Sequence, residues 1–364
     1  MTEVLLKELI NTDINWMIAT GHQREIAAGT VLIQEGKAAD FLHILLDGIL
    51  TVNIFQPDNN PLTRAFAAIE GNEILSREIT RLTSGEVVGE LPFLGSSPIA
   101  TTVKAVEKSL IMSIPIEELT AKLQQDVGFA SRFYRAIAIM LADRLQSIIN
   151  QFGRSSIAQN QPLKDVLFVL GELYDSDIDW MMAYGTPHKI PANTVIIHEK
   201  GTVDALYILL DGTMSLSISE NERNPLARAF AIMEGSEISG REIARLSKGE
   251  IIGETPFIDG RLPSTTVKAV SDAILLSISR QQMAVKLQQD AGFSSRFYRV
   301  IVTLLSQRLQ GMLRRLGYGR RVYSKGLSLA ENVKYEDELD INVLDHVALA
   351  GKRFDWMLER LRIN

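Results

Sequence analysis

The feature that most constrains this chain is an internal repeat with a fixed offset of 164 residues. Between Asp13 and Gly153, 68 of the 141 positions carry the same residue as the position 164 further along the chain. The register never slips: residues 44–48 and 208–212 both read Ile-Leu-Leu-Asp-Gly, and residues 101–106 and 265–270 both read Thr-Thr-Val-Lys-Ala-Val. Identity of this extent in a single register indicates that one folding unit was duplicated.

The repeat predicts how the 364 residues are divided. Two domains of roughly 150 residues each are the usual expectation for this length, with a short remainder. We predict a first domain at 1–153, a linker rich in Ser, Gln and Asn at 154–165, a second domain at 166–317, and a C-terminal tail with a terminal helix at 318–364.

Each repeat predicts the same succession of elements. A short helix around Trp16 or Trp180 is followed by many short β-rich runs that Gly, Asp, Asn and Pro interrupt. From Phe129 onward, apolar residues recur at the i, i+4, i+7 spacing of an amphipathic helix. About eight strands at this spacing favour a mainly β fold with flanking α-helices, namely two jelly-roll barrels in tandem.

Composition excludes several classes of function. The chain has no cysteine, which excludes disulfide scaffolds, zinc-thiolate sites and thiol nucleophiles. The net charge of −6 gives no global attraction to nucleic acid. No apolar run approaches the ~18 residues that cross a bilayer, and the N-terminus lacks the basic region of a signal peptide, so we expect no membrane span and a cytoplasmic location.

No pattern of residues indicates catalysis or a metal site. The sequence contains no P-loop, nucleophile elbow or Gly-rich dinucleotide loop, and the five histidines have no metal-ligand spacing. We therefore expect a protein that is not an enzyme and that holds no metal.

The segment with the most specific pattern lies late in each repeat. Residues 85–94 read Gly-Glu-Val-Val-Gly-Glu-Leu-Pro-Phe-Leu and are followed at 100–105 by Ala-Thr-Thr-Val-Lys-Ala. The copy, at 249–258 and 264–269, reads Gly-Glu-Ile-Ile-Gly-Glu-Thr-Pro-Phe-Ile and Ser-Thr-Thr-Val-Lys-Ala. This segment strongly resembles the phosphate-binding cassette of the cyclic nucleotide-binding domain family, and the resemblance covers nearly all of both repeats.

The resemblance implies a binding role for a few residues in each cassette. Glu90 and Glu254 match the carboxylate that accepts from the ribose hydroxyl, and each follows a glycine, Gly89 or Gly253, that permits close backbone approach. The hydroxyl residues of the pattern are matched by Thr101 with Thr102 and by Thr265 with Thr266. In this family the helices after the barrel move when the cassette closes, which the resemblance places at 116–150 and 280–316.

Both cassettes depart from the family pattern at its phosphate-binding arginine. Counted back from Val103 and Val267, that position holds Ile99 in the first copy and Pro263 in the second. Arg261 lies two positions before Pro263 and is the cation nearest to the vacant place. We therefore expect degenerate pockets, with cAMP, cGMP or a cyclic dinucleotide as candidate ligands. A second interpretation is that Glu90 and Glu254 only cap backbone amides.

Two further arginines are candidates to replace the missing cation. Arg77 and Arg241 occupy matching Arg-Glu-Ile segments and would reach the phosphate if their side chains turned into the barrel. The alternative is a structural pair with the neighbouring glutamate on the surface.

The tail contains a short sequence pattern that also occurs at the start of each repeat. Trp356, preceded by Phe354 and Asp355, repeats the Asn/Asp-Trp-Met pattern found at Trp16 and Trp180. Either this segment anchors a terminal helix on its own domain, or it fills an equivalent groove on another subunit. The second arrangement is a heterologous self-association, which builds rings or filaments.

Two hypotheses about function follow. The first is a ligand-responsive regulatory or adaptor module that passes a change in its barrels to a protein partner, without a DNA-binding domain of its own. The second is a structural scaffold, a homo-oligomer or filament, that keeps the barrel without binding a nucleotide.

Overall fold

The computed structural model describes most of the chain: residues 3–35, 37, 39–55, 76–89, 101–152, 168–219, 240–315 and 341–363. The chain divides into two compact units, Met1–Arg144 with Leu305–Val343 and Leu145–Leu304 with Leu344–Asn364. Each unit contains the barrel of one repeat. The predicted linker at 154–165 and most of the predicted tail before residue 341 lie outside the described residues, so the domain limits that follow the repeat stay a prediction.

In the first unit, two short helices precede the barrel: α1 (Glu3–Glu8) and α2 (Asn11–Thr20). The barrel strands are β1 (His22–Ile26), β2 (Val31–Ile33), β3 (Phe41–Asp47), β4 (Leu50–Phe55), β5 (Ser76–Leu82), β6 (Val87–Val88), β7 (Thr102–Ala105) and β8 (Ser109–Pro115). Two helices follow in the chain, α3 (Ile116–Gln125) and the long α4 (Val127–Phe152), whose residues after Arg144 belong to the second unit.

The second unit repeats this order. Its leading helices are α5 (Phe168–Glu172) and α6 (Asp175–Tyr184). Its strands are β9 (Thr186–Ile190), β10 (Val195–Ile197), β11 (Ala205–Asp211), β12 (Met214–Ser219), β13 (Gly240–Leu246), β14 (Ile251–Ile252), β15 (Thr266–Ala269) and β16 (Ala273–Ser279). The remaining helices are α7 (Thr255–Asp259) between β14 and β15, then α8 (Arg280–Gln289), α9 (Ala291–Arg315) and α10 (Ile341–Leu361). The end of α9 from Leu305 and the start of α10 up to Val343 belong to the first unit.

Each barrel consists of two antiparallel four-stranded sheets. In the first unit the strand orders are β1-β8-β3-β6 and β2-β7-β4-β5, and the second unit has the same orders shifted by eight strands. The irregularities of pairing are duplicated as well, since the register shifts between Leu45 and Asp47 in β3 and between Leu209 and Asp211 in β11. The predicted mainly β, jelly-roll fold with flanking helices is confirmed.

Alternating side chains close the barrel interior. Every strand of the first barrel contributes to one buried apolar cluster: Ile26, Ile33, Leu45, Leu50, Leu82, Val88, Val103, Ala105 and Ile111. Full burial of one such large side chain stabilises the fold by about 1.5–3 kcal/mol. The barrel is therefore a packed frame that fixes the positions of the loops at its ends.

A cluster of polar and aromatic residues ties the leading helix of each unit to the long helix after the barrel. In the first unit Arg132 of α4 donates to both carboxylate oxygens of Asp13 in α2, at 2.7 and 2.9 Å. In the second unit Arg296 of α9 donates to Asp177 of α6 at 2.6 and 2.8 Å. The ring of Trp180 lies 5.4 Å from that of Phe293, as Trp16 does from Phe129. The predicted helices around both tryptophans thus exist and are held by side chains from the far end of the repeat.

Helix α10 docks on the second unit through Arg353. One guanidinium nitrogen donates to the carbonyls of Leu170 and Gly171, both at 3.1 Å, and Nε donates to Asp175 at 2.8 Å. The last carbonyls of a helix have no partners within it, so Arg353 acts as a C-terminal cap for α5. In the parts of the chain that the structure describes, α10 and the other helices are all too short or too polar to cross a membrane.

Candidate functional site

The second cassette begins where β14 leaves the sheet. Gly253 has a φ of +81°, and a Cβ added there would lie 2.9 Å from the carbonyl oxygen of Ala205. A side chain is therefore excluded by both the backbone conformation and the space. Because the backbone passes so close to Ala205 at Gly253, the next residue, Glu254, lies inside the unit and is 5% exposed.

Helix α7 forms the centre of this cassette and is held in place by side chains of α9. Glu254 occupies its N-cap position, Pro256 stands in its first turn, and Gly260 ends it in the left-handed conformation. The hydroxyl of Tyr298 in α9 donates to the carbonyl oxygen of Phe257 at 3.0 Å. The rings of Phe257 and Phe297 also meet edge to face, with centroids 6.5 Å apart. Helices α7 and α9 are therefore joined by a hydrogen bond and by an aromatic contact.

We predict that Tyr298→Phe lowers the free energy of unfolding by about 1 kcal/mol, because the buried carbonyl of Phe257 loses its hydrogen bond. Urea unfolding followed by circular dichroism measures the change. Tyr184→Phe is the matched control, since Tyr184 is exposed and the same atom is removed there. Equal stability of the Tyr298 variant and the wild type would show that this contact contributes nothing.

The threonine predicted from the cassette pattern holds a loop. The Oγ1 atom of Thr266 accepts from the backbone N–H of Glu199 at 3.1 Å, and Thr102 does the same for Glu35 at 3.2 Å. The carboxylate of Glu199 in turn accepts from the N–H of Ser219, at 2.8 Å. The cassette strand β15, the loop after β10 and the end of β12 are thereby joined at one point.

Arg261, the cation of the second cassette, already forms an ion pair. Nε of Arg261 donates to both carboxylate oxygens of Asp259, at 2.8 and 2.9 Å. Pro263 offers no side-chain donor, and its carbonyl oxygen accepts from the N–H of Lys200 at 2.8 Å. Thr265, between them and β15, is partly buried.

The first cassette is described only at its two ends. Gly89 has a φ of +87°, and a Cβ there would lie 2.5 Å from the carbonyl oxygen of Phe41, which repeats the constraint found at Gly253. Thr101 and Thr102 lead into β7. Glu90 and Ile99 lie outside the described residues, so their roles stay predictions.

The other predicted residues lie away from the cassettes in sequence. Arg77 and Arg241 stand in β5 and β13, where they pair with Ile54 and Ile218 across the strands. The glutamate that follows each of them forms an ion pair three residues on: Glu78 pairs with Arg81 and Glu242 with Arg245, both at 2.7 Å.

The two tail residues predicted for self-association differ in accessibility. On α10, Phe354 is buried within its own unit, whereas Trp356 is 38% exposed. A contact with a second copy is therefore open to Trp356 but not to Phe354 while α10 stays docked.

Sequence reasoning missed Glu199 and Tyr298. Both leave a signal in the repeat: Glu35 and Glu199 are identical within a stretch where their neighbours differ, and Tyr134 matches Tyr298. The partners of these side chains are distant in sequence, so the identity marked the residues without revealing what they contact.

Two antiparallel jelly rolls, each with a Gly-Glu cassette before its seventh strand, define a class of small-molecule-binding barrels. The family model described as "Cyclic nucleotide-binding domain" matches the chain twice, over residues 23–126 and 187–290. The chain belongs to this family and carries two of its domains in tandem.

Several solved structures are similar to this chain. The regulatory domain of Toxoplasma gondii PKA with cAMP is 18% identical, with 85% of this chain and 92% of that chain covered and a TM-score of 0.28. The regulatory subunit of a cAMP-independent protein kinase A from Trypanosoma cruzi, bound to guanosine, is 16% identical, with 86% and 89% covered and a TM-score of 0.29. The catabolite activator protein of Thermus thermophilus is 14% identical, with 52% and 76% covered and a TM-score of 0.33. No curated protein matches the chain in sequence.

Proposed function

We propose that this protein is a non-enzymatic, ligand-responsive regulatory or adaptor module whose second cassette is the sensing site. The observation that carries the proposal is the anchoring of α7 to α9 by Tyr298 and Phe297. A ligand that draws α7 toward the barrel must move or strain these two contacts. The long helix α9 then presents the change to a protein partner.

The charges of the second cassette favour a ribose over a phosphate. Glu254 is a buried carboxylate beside the closest backbone approach of the site, and a carboxylate accepts from paired hydroxyls. Arg261 would have to leave Asp259 to pair with a phosphate. A charge-assisted bond contributes about 1.5–3 kcal/mol, so exchanging one carboxylate for another anion gains little. We therefore infer that an uncharged nucleoside suits this site better than cAMP or cGMP.

A thermal-shift panel tests this proposal on the full chain. Guanosine, adenosine, cAMP, cGMP and a cyclic dinucleotide are compared at equal concentrations. A ligand present at 100 times its dissociation constant stabilises the folded state by about 2.7 kcal/mol, which is readily measured. We expect a nucleoside to give the largest shift and Glu254→Gln to remove it. Glu242→Gln is the control, because Glu242 pairs with Arg245 on the surface.

The alternative function is a scaffold that keeps the barrel without a ligand. It is favoured by the exposure of Trp356 on α10 and by the pairing of Arg261 within its own cassette. If this alternative holds, no ligand in the panel shifts the melting temperature of the protein. Light scattering then shows an assembly of several chains that the Trp356→Glu variant does not form. A monomer that no ligand stabilises would contradict both functions.

A further inference from the structure

The two leading helices of the first unit carry large aliphatic side chains at every fourth position: Leu6, Ile10, Ile14 and Ile18. Leu6 lies on α1, Ile10 is the N-cap residue of α2, and Ile14 and Ile18 lie one turn apart on α2. We call these four residues the leading-helix face. Leu6, Ile10 and Ile18 are about half exposed, at 50%, 50% and 51%. An exposed apolar row of this kind is typical of a surface that binds another protein.

The second unit buries the equivalent of this face. Leu170 and Ile178 stand 164 residues after Leu6 and Ile14, and they are 1% and 0% exposed. The carbonyl oxygen of Leu170 accepts a hydrogen bond from Arg353 of α10. A helix is therefore docked where the second unit buries this leucine, whereas the same leucine of the first unit is half exposed.

The docked helix shows what kind of partner such a face accepts. The buried residues Ala350, Phe354 and Met357 of α10 follow the i, i+4, i+7 spacing of one helix face. Arg353 borders this face and donates to α5 and to Asp175. Amphipathic helices bind apolar surfaces through anchors at this spacing. The leading-helix face of the first unit is therefore expected to accept an amphipathic helix as well.

The charges differ between the two places. On the second unit, Arg353 contacts Gly171 and Asp175, and Lys7 and Asn11 occupy these positions in the first unit. One negative charge is lost and one positive charge is gained. Lys7 lies in the last turn of α1, so α1 has its own cation where α5 receives one from α10. An arginine on an approaching helix would face Lys7, whereas a carboxylate would pair with it.

We propose that the leading-helix face binds an acidic amphipathic helix of a protein partner. The apolar residues of that helix cover Leu6 and Ile14, and a carboxylate at the position of Arg353 pairs with Lys7. This surface goes beyond the sensing function proposed for the second cassette. Nucleoside sensing is measured without a partner helix, so either property can be lost without the other.

Two labelled peptides with the sequence of α10, Ile341–Leu361, test the proposal in fluorescence anisotropy with the full chain. One carries the substitution R353E, and the other keeps Arg353. On the second unit the α10 of the same chain already occupies the equivalent place. We expect the R353E peptide to bind with a dissociation constant of about 100 μM or lower, and the Arg353 peptide to bind about tenfold more weakly or worse.

Matched variants locate the binding. Leu6→Glu places a charge on the leading-helix face and should abolish it, whereas Val285→Glu, at an exposed aliphatic residue of α8, should leave it unchanged. Circular dichroism checks that both variants fold. Lys7→Glu should reverse the preference, so that the Arg353 peptide binds more tightly than the R353E peptide.

Several results would overturn the proposal. They are no binding of the R353E peptide to the wild type, equal binding by the Leu6→Glu and Val285→Glu variants, or an unchanged preference after Lys7→Glu. Light scattering without peptide supplies a further test. An assembly of several chains that Leu6→Glu dissociates would assign the leading-helix face to a second copy of this chain instead of a partner.

Discussion

Replacing Arg296 by methionine is expected to lower the free energy of unfolding by about 3 kcal/mol, because it leaves a buried carboxylate without its charged partner. Asp177 is 2% exposed and receives two hydrogen bonds from Arg296. After the substitution only the backbone N–H of Tyr174 donates to it, at 2.8 Å. The pairing also stabilises the charged form of the arginine, since the hydrogen bond to Asp177 raises the pKa of Arg296.

Urea unfolding of matched variants measures this effect. Arg132→Met breaks the equivalent pair with Asp13 and should cost a similar amount in the first unit. Arg245→Met breaks an exposed pair with Glu242 and should cost less than about 1 kcal/mol. If Arg296→Met and Arg245→Met proved equally stable, the buried pair would contribute no more than a surface one.

The second large effect is a loss of stability on acidification that depends on His43. In the folded protein its pKa is lowered to about 4 by burial and by Arg24, whereas an unfolded histidine titrates near 6.5. Between these values the unfolded chain binds more protons, so stability present above pH ~6.5 is lost as the pH falls toward ~4. From pH 7 to about pH 4.5, this one residue should lower the free energy of unfolding by about 2 kcal/mol.

The His43→Tyr variant isolates this contribution. Tyrosine is the residue of the second repeat and does not titrate in this range. Unfolding is measured by urea at both pH values for the wild type, His43→Tyr and the exposed-histidine control His22→Gln. We expect the wild type and the control to lose about 2 kcal/mol more than His43→Tyr. An identical loss in all three proteins would mean that His43 is protonated in the folded state without cost.

The fold could be predicted from the sequence alone because each weak indication of a strand or turn occurs twice, once in each repeat. A three-residue strand such as β2 is ambiguous by itself, but its copy β10 occurs at the same offset. Both strands directly follow a threonine, Thr30 or Thr194, and a glutamate, Glu35 or Glu199, comes two residues after each of them. The Gly-Glu cassettes were located for the same reason. Glycine stands at both positions because Gly89 and Gly253 have a positive φ, which side chains disfavour.

The contacts that make the site could not be predicted, because they join residues far apart in sequence or depend on turn geometry. Arg132 lies on the helix face that periodicity marks as polar, yet it is bonded to Asp13, 119 positions away. Arg261 stood out as a cation for the second pocket. It is paired with Asp259, two residues away, because Gly260 turns the chain in the left-handed conformation between them.

The capping of α5 by Arg353 has a consequence for the order in which the protein matures. Five residues are too few to form a stable helix alone, and the donor that satisfies the carbonyls of Leu170 and Gly171 comes from α10, 183 residues after Leu170. A ribosome therefore synthesises every strand of the second barrel before it synthesises this donor. The entry helix of the second unit is completed later than the strands that follow it in the chain.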